Sequence, residues 1–221
     1  MCLGALVTAA PSCEGTISPP GPVLLVGDSI FFMATDELTY TLRAEGWDVT
    51  VDAVSGSGIR NGGFEYVSWP DRLRDLVDVV DPEVVVVELG TNGCGNCDSI
   101  PEAIEADMAE LRGVELVLWL DVATFGPRAE KGGAVNAALE DAAERWDNLE
   151  ILPYDDWFAG RTDLIPADDV HPTPAGERAL ARHVADALAD RTAATGDDAG
   201  SKALGALVVV IAAVVLFRGK G

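Results

Sequence analysis

The hydrophobic positions of this chain change period repeatedly between Pro22 and Arg191, and each change marks a new element. Val23–Val26 is a short apolar run that enters Gly27. Phe31–Glu45 then carries Phe31, Ala34, Leu38 and Leu42 at helical spacing, and the pattern stops at Gly46. Trp47–Val54 alternates apolar and polar residues, as a half-buried strand does. A Gly-rich loop leads to Trp69–Val80, where Leu73, Leu76, Val77 and Val80 share one helical face before Asp81-Pro82. Glu83–Leu89 is the strongest strand, because Val84, Val85, Val86 and Val87 in succession imply burial on both faces.

The second half keeps the alternation. Ser99-x-x-Glu102 is a capping box that opens a helix through Leu111, closed by Gly113. Glu115–Val122 predicts a fourth strand, about Ala129 to Trp146 a helix, and Leu149–Leu152 a fifth, short strand. Thr173 caps and Pro174 starts a last helix bearing Leu180, Val184 and Leu188. Five strands alternating with helices predict an α/β fold, a three-layer α/β/α sandwich with a five-stranded parallel sheet.

The two ends depart from this pattern. Residues 1–21 read as a leader-like segment: Met1–Ala10 is small and apolar like the hydrophobic part of a secretory signal, without its basic n-region. Residues 22–191 form the predicted domain, and 192–202 a polar linker. Ala203–Phe217 is a run of 15 uncharged, mostly apolar residues bounded by Lys202, Arg218 and Lys220. As a helix it spans about 22 Å, short of a hydrocarbon core of roughly 30 Å, and the flanking cations can snorkel to cover part of the deficit. Residues 203–221 are therefore expected to anchor the chain in a membrane. Arg218 and Lys220 would stay on the cytoplasmic side and the body outside, at the cell surface.

Composition narrows the partners. The 221 residues suffice for one good core. With 37 acidic against 15 basic residues the formal net charge is −22, which argues against nucleic acid, since phosphate binding needs clustered Lys and Arg. The acids are dispersed, as on a solvated surface.

Four short motifs carry candidate chemistry: Gly27-Asp28-Ser29, Gly56, Gly90-Thr91-Asn92 and Asp168-x-x-His171. In a parallel α/β sheet all four fall at carboxyl ends of strands, where ligands bind. They supply a hydroxyl nucleophile, oxyanion donors and a carboxylate-oriented imidazole, the parts needed for acyl transfer to water. Each motif alone is a common turn or cap; the ordered set is specific. Of the two histidines, His183 lies mid-helix as a partly buried residue, leaving His171 as the candidate base. Cys94-Gly-Asn-Cys97 follows Asn92 directly. Outside the cytoplasm it reads as a short-loop disulfide, with a redox pair as the alternative. One Cys-x-x-Cys without a second ligand pair argues against zinc, and Cys2 and Cys13 belong to the N-terminal segment. There is no phosphate loop, dinucleotide fingerprint or Gly-x-Ser-x-Gly elbow.

Across 22–191 the chain resembles the SGNH hydrolases, also called GDSL esterases. The resemblance rests on Gly27-Asp28-Ser29-Ile30, Asp52-Ala53-Val54-Ser55-Gly56, Gly90-Thr91-Asn92 and Asp168-Asp169-Val170-His171. It implies a flavodoxin-like sheet, ester hydrolysis through a serine, and no metal or organic cofactor. Ser29 would be the nucleophile, His171 the base and Asp168 its orienting acid. The Ser29 N–H, the Gly56 N–H and the Asn92 amide would form the oxyanion hole. In Ser55-Gly56-Ser57-Gly58 either glycine fits the pattern, and Gly56 is the expected donor. Asp28 reads as a local hydrogen-bonding residue, and Phe31, Phe32, Arg60, Asn61, Phe64 and Trp157 are candidate pocket residues. The expected activity is hydrolysis of a small acyl ester, such as an O-acetyl group on an envelope glycan or a lipid ester. The alternatives are acyl transfer to a sugar by the same residues, or an idle envelope-binding module.

Overall fold

The computed structural model describes residues 20–63, 66–126, 129–165 and 170–191. Strand β1 (Pro22–Gly27) runs into helix α1 (Ser29–Ala44) and then β2 (Asp48–Ala53). A glycine-rich excursion holds β3 (Asn61–Gly62) and β4 (Val67–Ser68), ahead of α2 (Trp69–Val80). β5 (Val84–Glu88), α3 (Ile100–Leu111), β6 (Leu116–Leu120), α4 (Ala129–Ala143) and β7 (Leu149–Leu152) continue the alternation. A single turn, α5 (Asp155–Phe158), and the helix α6, residues 174–191, complete it.

The five long strands form one parallel sheet in the order β2-β1-β5-β6-β7. The chain moves outward from β1 to β2, then returns to the other side of β1 at β5. That reversal opens a crevice between the carboxyl ends of β1 and β5, the place where such sheets take ligands.

Strand alternation divides the core in two. Val23, Leu25, Val84, Val86, Leu118 and Leu120 face Ile30, Phe31, Leu38 and Leu42 of α1 and Leu180, Val184 and Leu188 of α6. Leu24, Val26, Val85, Val87, Val117 and Trp119 face α2, α3 and α4. All four valines of β5 are buried, as an unbroken apolar run in a central parallel strand requires. The expected three-layer sandwich is therefore the observed fold.

The boundaries differ in instructive places. α1 begins at Ser29, two residues before its apolar periodicity, because the Asp28 carboxylate caps the Ile30 N–H at 3.0 Å. The capping box at Ser99 shows the serine half, with Ser99 Oγ accepting from Glu102 N at 3.4 Å. α3 ends with Arg112 in ordinary right-handed conformation, so Gly113 is not a left-handed stop. α4 ends at Ala143 rather than Trp146, because Arg145 N and Trp146 N both turn back onto Ala142 O. The β3–β4 ribbon and α5 went unanticipated, since elements of two to four residues have no readable period.

The leader-like segment up to residue 19, the linker and the apolar run 203–217 lie outside the described residues, so the expectations for them stay untested. Among the described residues no helix is long and apolar enough to cross a membrane.

Candidate active site

Ser29 is the first residue of α1, where the chain leaves the buried edge of β1. Its N–H sits at the positive end of the helix, where negative charge is favoured. The N–H groups around it are largely spent. Asp28 N donates to Glu88 O at 3.1 Å, Ile30 N to Asp28 Oδ1 at 3.0 Å, and Phe32 N to Asp28 O at 2.9 Å. Among the described residues the Ser29 N–H has no acceptor.

His171 reaches this turn from a loop 142 positions away in the chain, and its Nε2 lies 3.0 Å from Ser29 Oγ. With the hydroxyl donating to Nε2, the ring proton resides on Nδ1. Two features hold the His171 loop. Thr173 N donates to Leu164 O at 2.7 Å and Thr173 Oγ1 to Asp163 O at 2.9 Å, while that same oxygen caps α6 by accepting from Gly176 N at 3.1 Å. Gly176 must lack a side chain, because a Cβ there would lie 2.2 Å from Leu164 O. Asp168 falls within 166–169, outside the described residues.

The loops after β2 and β5 lock together beside Ser29. A Cβ on Gly58 would lie 2.2 Å from Gly95 N, so this glycine permits the two loops to touch. Ile59 N donates to Gly93 O at 3.0 Å and Arg60 N to Cys94 O at 3.1 Å, while Asn61 exchanges bonds with Asn96 in both directions. This separates the two glycines. The Gly58 N–H is spent on Asn61 O at 3.0 Å, whereas the Gly56 N–H has no acceptor among the described residues. Cys94 and Cys97 form a disulfide within the second loop.

Asn92 stands at the junction. Gly90, at φ +135°, starts a tight turn in which Gly93 N donates to Gly90 O at 2.7 Å. The Asn92 amide nitrogen then donates to Asp28 Oδ2 at 2.9 Å and to Ser57 O at 3.0 Å. Two acceptors fix which end of the side chain is nitrogen. They also engage both amide hydrogens, a commitment that the motif alone does not reveal.

Asp28 therefore does more than cap a helix locally: one oxygen holds the α1 turn and the other holds Asn92. Beneath it lies Glu88, the last residue of β5 and almost wholly buried. Its Oε2 accepts from Asp28 N at 3.2 Å. Burial, then the adjacent Asp28 carboxylate, push the Glu88 carboxyl well above the usual range. Glu88 was passed over in the sequence. Its signal was one ionisable side chain at the end of a run otherwise fit only for apolar residues.

Several candidate pocket residues lie elsewhere. Phe31 is wholly buried in the core, and Asn61 is committed to the loop–loop bonds. Trp157 stacks on His183 at 4.4 Å between ring centres, with the Arg161 guanidinium 4.5 Å from its ring. His183 is half-buried on α6 and donates from Nε2 to Pro153 O at 2.7 Å; burial lowers its pKa. Arg60 lines a polar cleft with Asn96, Cys97 and Ser99. Phe32 is 58% exposed, on the turn of α1 next to Ser29, and Phe64 lies outside the described residues.

Against known proteins, residues 25–179 match the GDSL-like Lipase/Acylhydrolase family. The chain belongs to that family. No curated protein matches it significantly. Among solved structures, the GDSL-like chain resembles the C-terminal catalytic domain of Streptococcus pneumoniae peptidoglycan O-acetyltransferase A. The identity is 15% and the TM-score 0.62, over 78% of this chain and 94% of that one. It is similar to an acetyl esterase mutant with acetate ion at 17% identity and TM-score 0.59, covering 79% and 99% of the two chains. A Clostridium thermocellum family 3 carbohydrate esterase gives 14% identity and TM-score 0.58 over 78% and 97%. At these identities the likeness concerns the fold.

Proposed function

We propose that this GDSL-like chain is a serine esterase that releases a small acyl group to water. The observation that carries the reading is the 3.0 Å approach of His171 Nε2 to Ser29 Oγ at the mouth of the sheet. Ser29 Oγ attacks the ester carbonyl while His171 takes its proton. The tetrahedral oxyanion is met by the Ser29 and Gly56 N–H groups. Asn92 joins them by sharing an amide hydrogen in a three-centre bond. Collapse breaks the C–O bond to the alcohol, which leaves with the proton from His171, and Ser29 holds the acyl group. His171 then deprotonates a water that attacks the acyl carbon, returns the proton to Ser29 Oγ, and frees the acid. Asp168 accepts from Nδ1–H and steadies the imidazolium.

An acetyl ester on a carbohydrate is the proposed substrate. It is supported by similarity to structures described as an acetyl esterase, a carbohydrate esterase and a peptidoglycan O-acetyltransferase. The last also favours a second reading, in which a sugar hydroxyl replaces water in deacylation. We place the domain outside the cytoplasm, tethered by 203–217, on the strength of the disulfide and that apolar run.

Ser29→Ala tests the chemistry. Hydrolysis of nitrophenyl acetate and labelling by a fluorophosphonate should both vanish while circular dichroism and Tm stay unchanged. Activity surviving in that variant refutes the assignment. An unlabelled wild-type protein points instead to an idle binding module, and product analysis with an added alcohol separates transfer from hydrolysis.

A further inference from the structure

We propose that Glu88 is a positioning residue for this reaction, bracing from below the turn that presents the Ser29 N–H and, through Asp28, the side chain of Asn92. The inference rests on the esterase reading above.

Val84 and Val86 face the α1 side of the sheet, so Glu88 points the same way, beneath the first turn of α1. A carboxyl there must be fully partnered to be tolerated. Its side-chain partner in that turn is Asp28 N, at 3.2 Å from Oε2. Together Asp28 and Glu88 account for the N–H groups of residues 28, 30 and 32. The Ser29 N–H, with no acceptor among the described residues, is left for an incoming oxyanion.

The Asp28 and Glu88 carboxyls are both buried, and the nearby Asp28 carboxylate adds to the burial that raises the Glu88 carboxyl. Two such groups cannot both ionise. The Asp28 carboxylate has the N–H donors of Ile30 and Asn92, so the proton rests on Glu88 and the pair carries one negative charge. The other titratable group facing Glu88 is Tyr154, just before α5, whose hydroxyl is buried without a partner among the described residues. A continuous path thus runs Glu88–Asp28–Asn92–Ser57, joining the loops after β1, β2 and β5. Removing its lowest member lets the Asp28 carboxylate, and with it Asn92, leave the position that meets the oxyanion.

The test uses three variants and a fluorophosphonate, whose phosphonylation of Ser29 Oγ with loss of fluoride reports the site without a known substrate. Glu88→Leu keeps volume and deletes the side-chain hydrogen bond while the backbone bond from Asp28 N to the residue 88 carbonyl survives; Glu88→Asp keeps the carboxyl and withdraws it by one methylene. Both should slow the maximal labelling rate and kcat for nitrophenyl acetate by about 10²-fold, with KM little changed. Glu88→Gln, a neutral isostere that can donate to Asp28 and accept from the turn, should recover to within about threefold of wild type. A purely structural role would lower Tm in Leu and Asp variants without touching kcat well below Tm. The proposal is overturned if Glu88→Asp labels at the wild-type rate, or if Glu88→Gln is as slow as Glu88→Asp. Should Glu88→Leu fail to fold, the Asp and Gln pair still decides. Wild-type protein that resists the probe sinks the esterase reading itself, an outcome distinct from equal labelling of wild type and Glu88→Asp.

Discussion

Glu88 and Asp107 are buried acids on opposite sides of the sheet, and they differ in everything except burial. Glu88 faces α1, bonded to the Asp28 N–H of a tight turn and close to a second carboxyl, that of Asp28. Asp107 sits in α3 among Ala103, Ile104, Met108 and Leu111, on the helix face turned toward the opposite core, and neither of its oxygens has a hydrogen-bond partner among the described residues. Burial raises both carboxyls well above the ordinary range. Only the first is wired to groups that face a ligand crevice. Burial of an ionisable group is thus a weak pointer to function; what it is bonded to, and where that chain of bonds ends, is the stronger one.

The comparison can be broken on either side. The largest effect is expected at the far end of the Glu88 path. Asn92→Ala should cost about 10²–10³ in kcat, with Tm lowered as Asp28 Oδ2 and Ser57 O lose their donor. Steady-state kinetics on nitrophenyl acetate checks this, and a variant with wild-type kcat would show that the path ends in structure alone.

On the other side, Asp107→Asn should leave kcat untouched and raise stability by about 1–3 kcal/mol at neutral pH. The sign follows from the raised carboxyl. Its folded-state affinity for the proton exceeds that of the unfolded chain, so its cost is absent below about pH 4 and grows as pH rises toward the folded value. Denaturant melts of wild type and Asp107→Asn should therefore converge near pH 4 and separate at pH 7. Parallel curves would mean that the acid is partnered in solution.

A smaller stability effect, with little expected on chemistry, belongs to the disulfide. Opening the loop closed by Cys94 and Cys97 should cost about 2 kcal/mol by chain entropy. The neighbouring loop is independently tied by Gly58, Ile59, Arg60 and Asn61. Cys94→Ser with Cys97→Ser should thus melt earlier while retaining most of kcat. A collapse of kcat would extend the positioning network into this loop.

Much of this was legible in the chain. The four valines of β5 announced a strand covered on both faces, and the helical spacing of Leu73 and Val77 or of Leu180 and Val184 announced the layers that cover it. The glycine, serine, asparagine and histidine blocks fell at strand ends. Glu88 was harder, since one acid closing an apolar run is compatible with a surface, a salt bridge or a mistaken strand end. Asn92 was read as a free oxyanion donor, and nothing local could show that both amide hydrogens already had acceptors from two other loops.

By itself, then, the sequence determined the elements and their order, because side-chain period and backbone conformation are coupled residue by residue. It also put the candidate site residues at strand ends. Tertiary structure alone decided that Ser29 and His171 meet across 142 positions, and that Glu88 lies under Asp28 on one face of the sheet. It decided too which glycine after β2 keeps its N–H free. Those outcomes depend on strand order and on the mutual packing of distant loops. Hydrogen-bond direction and shared protons arise only when such groups are brought together out of water.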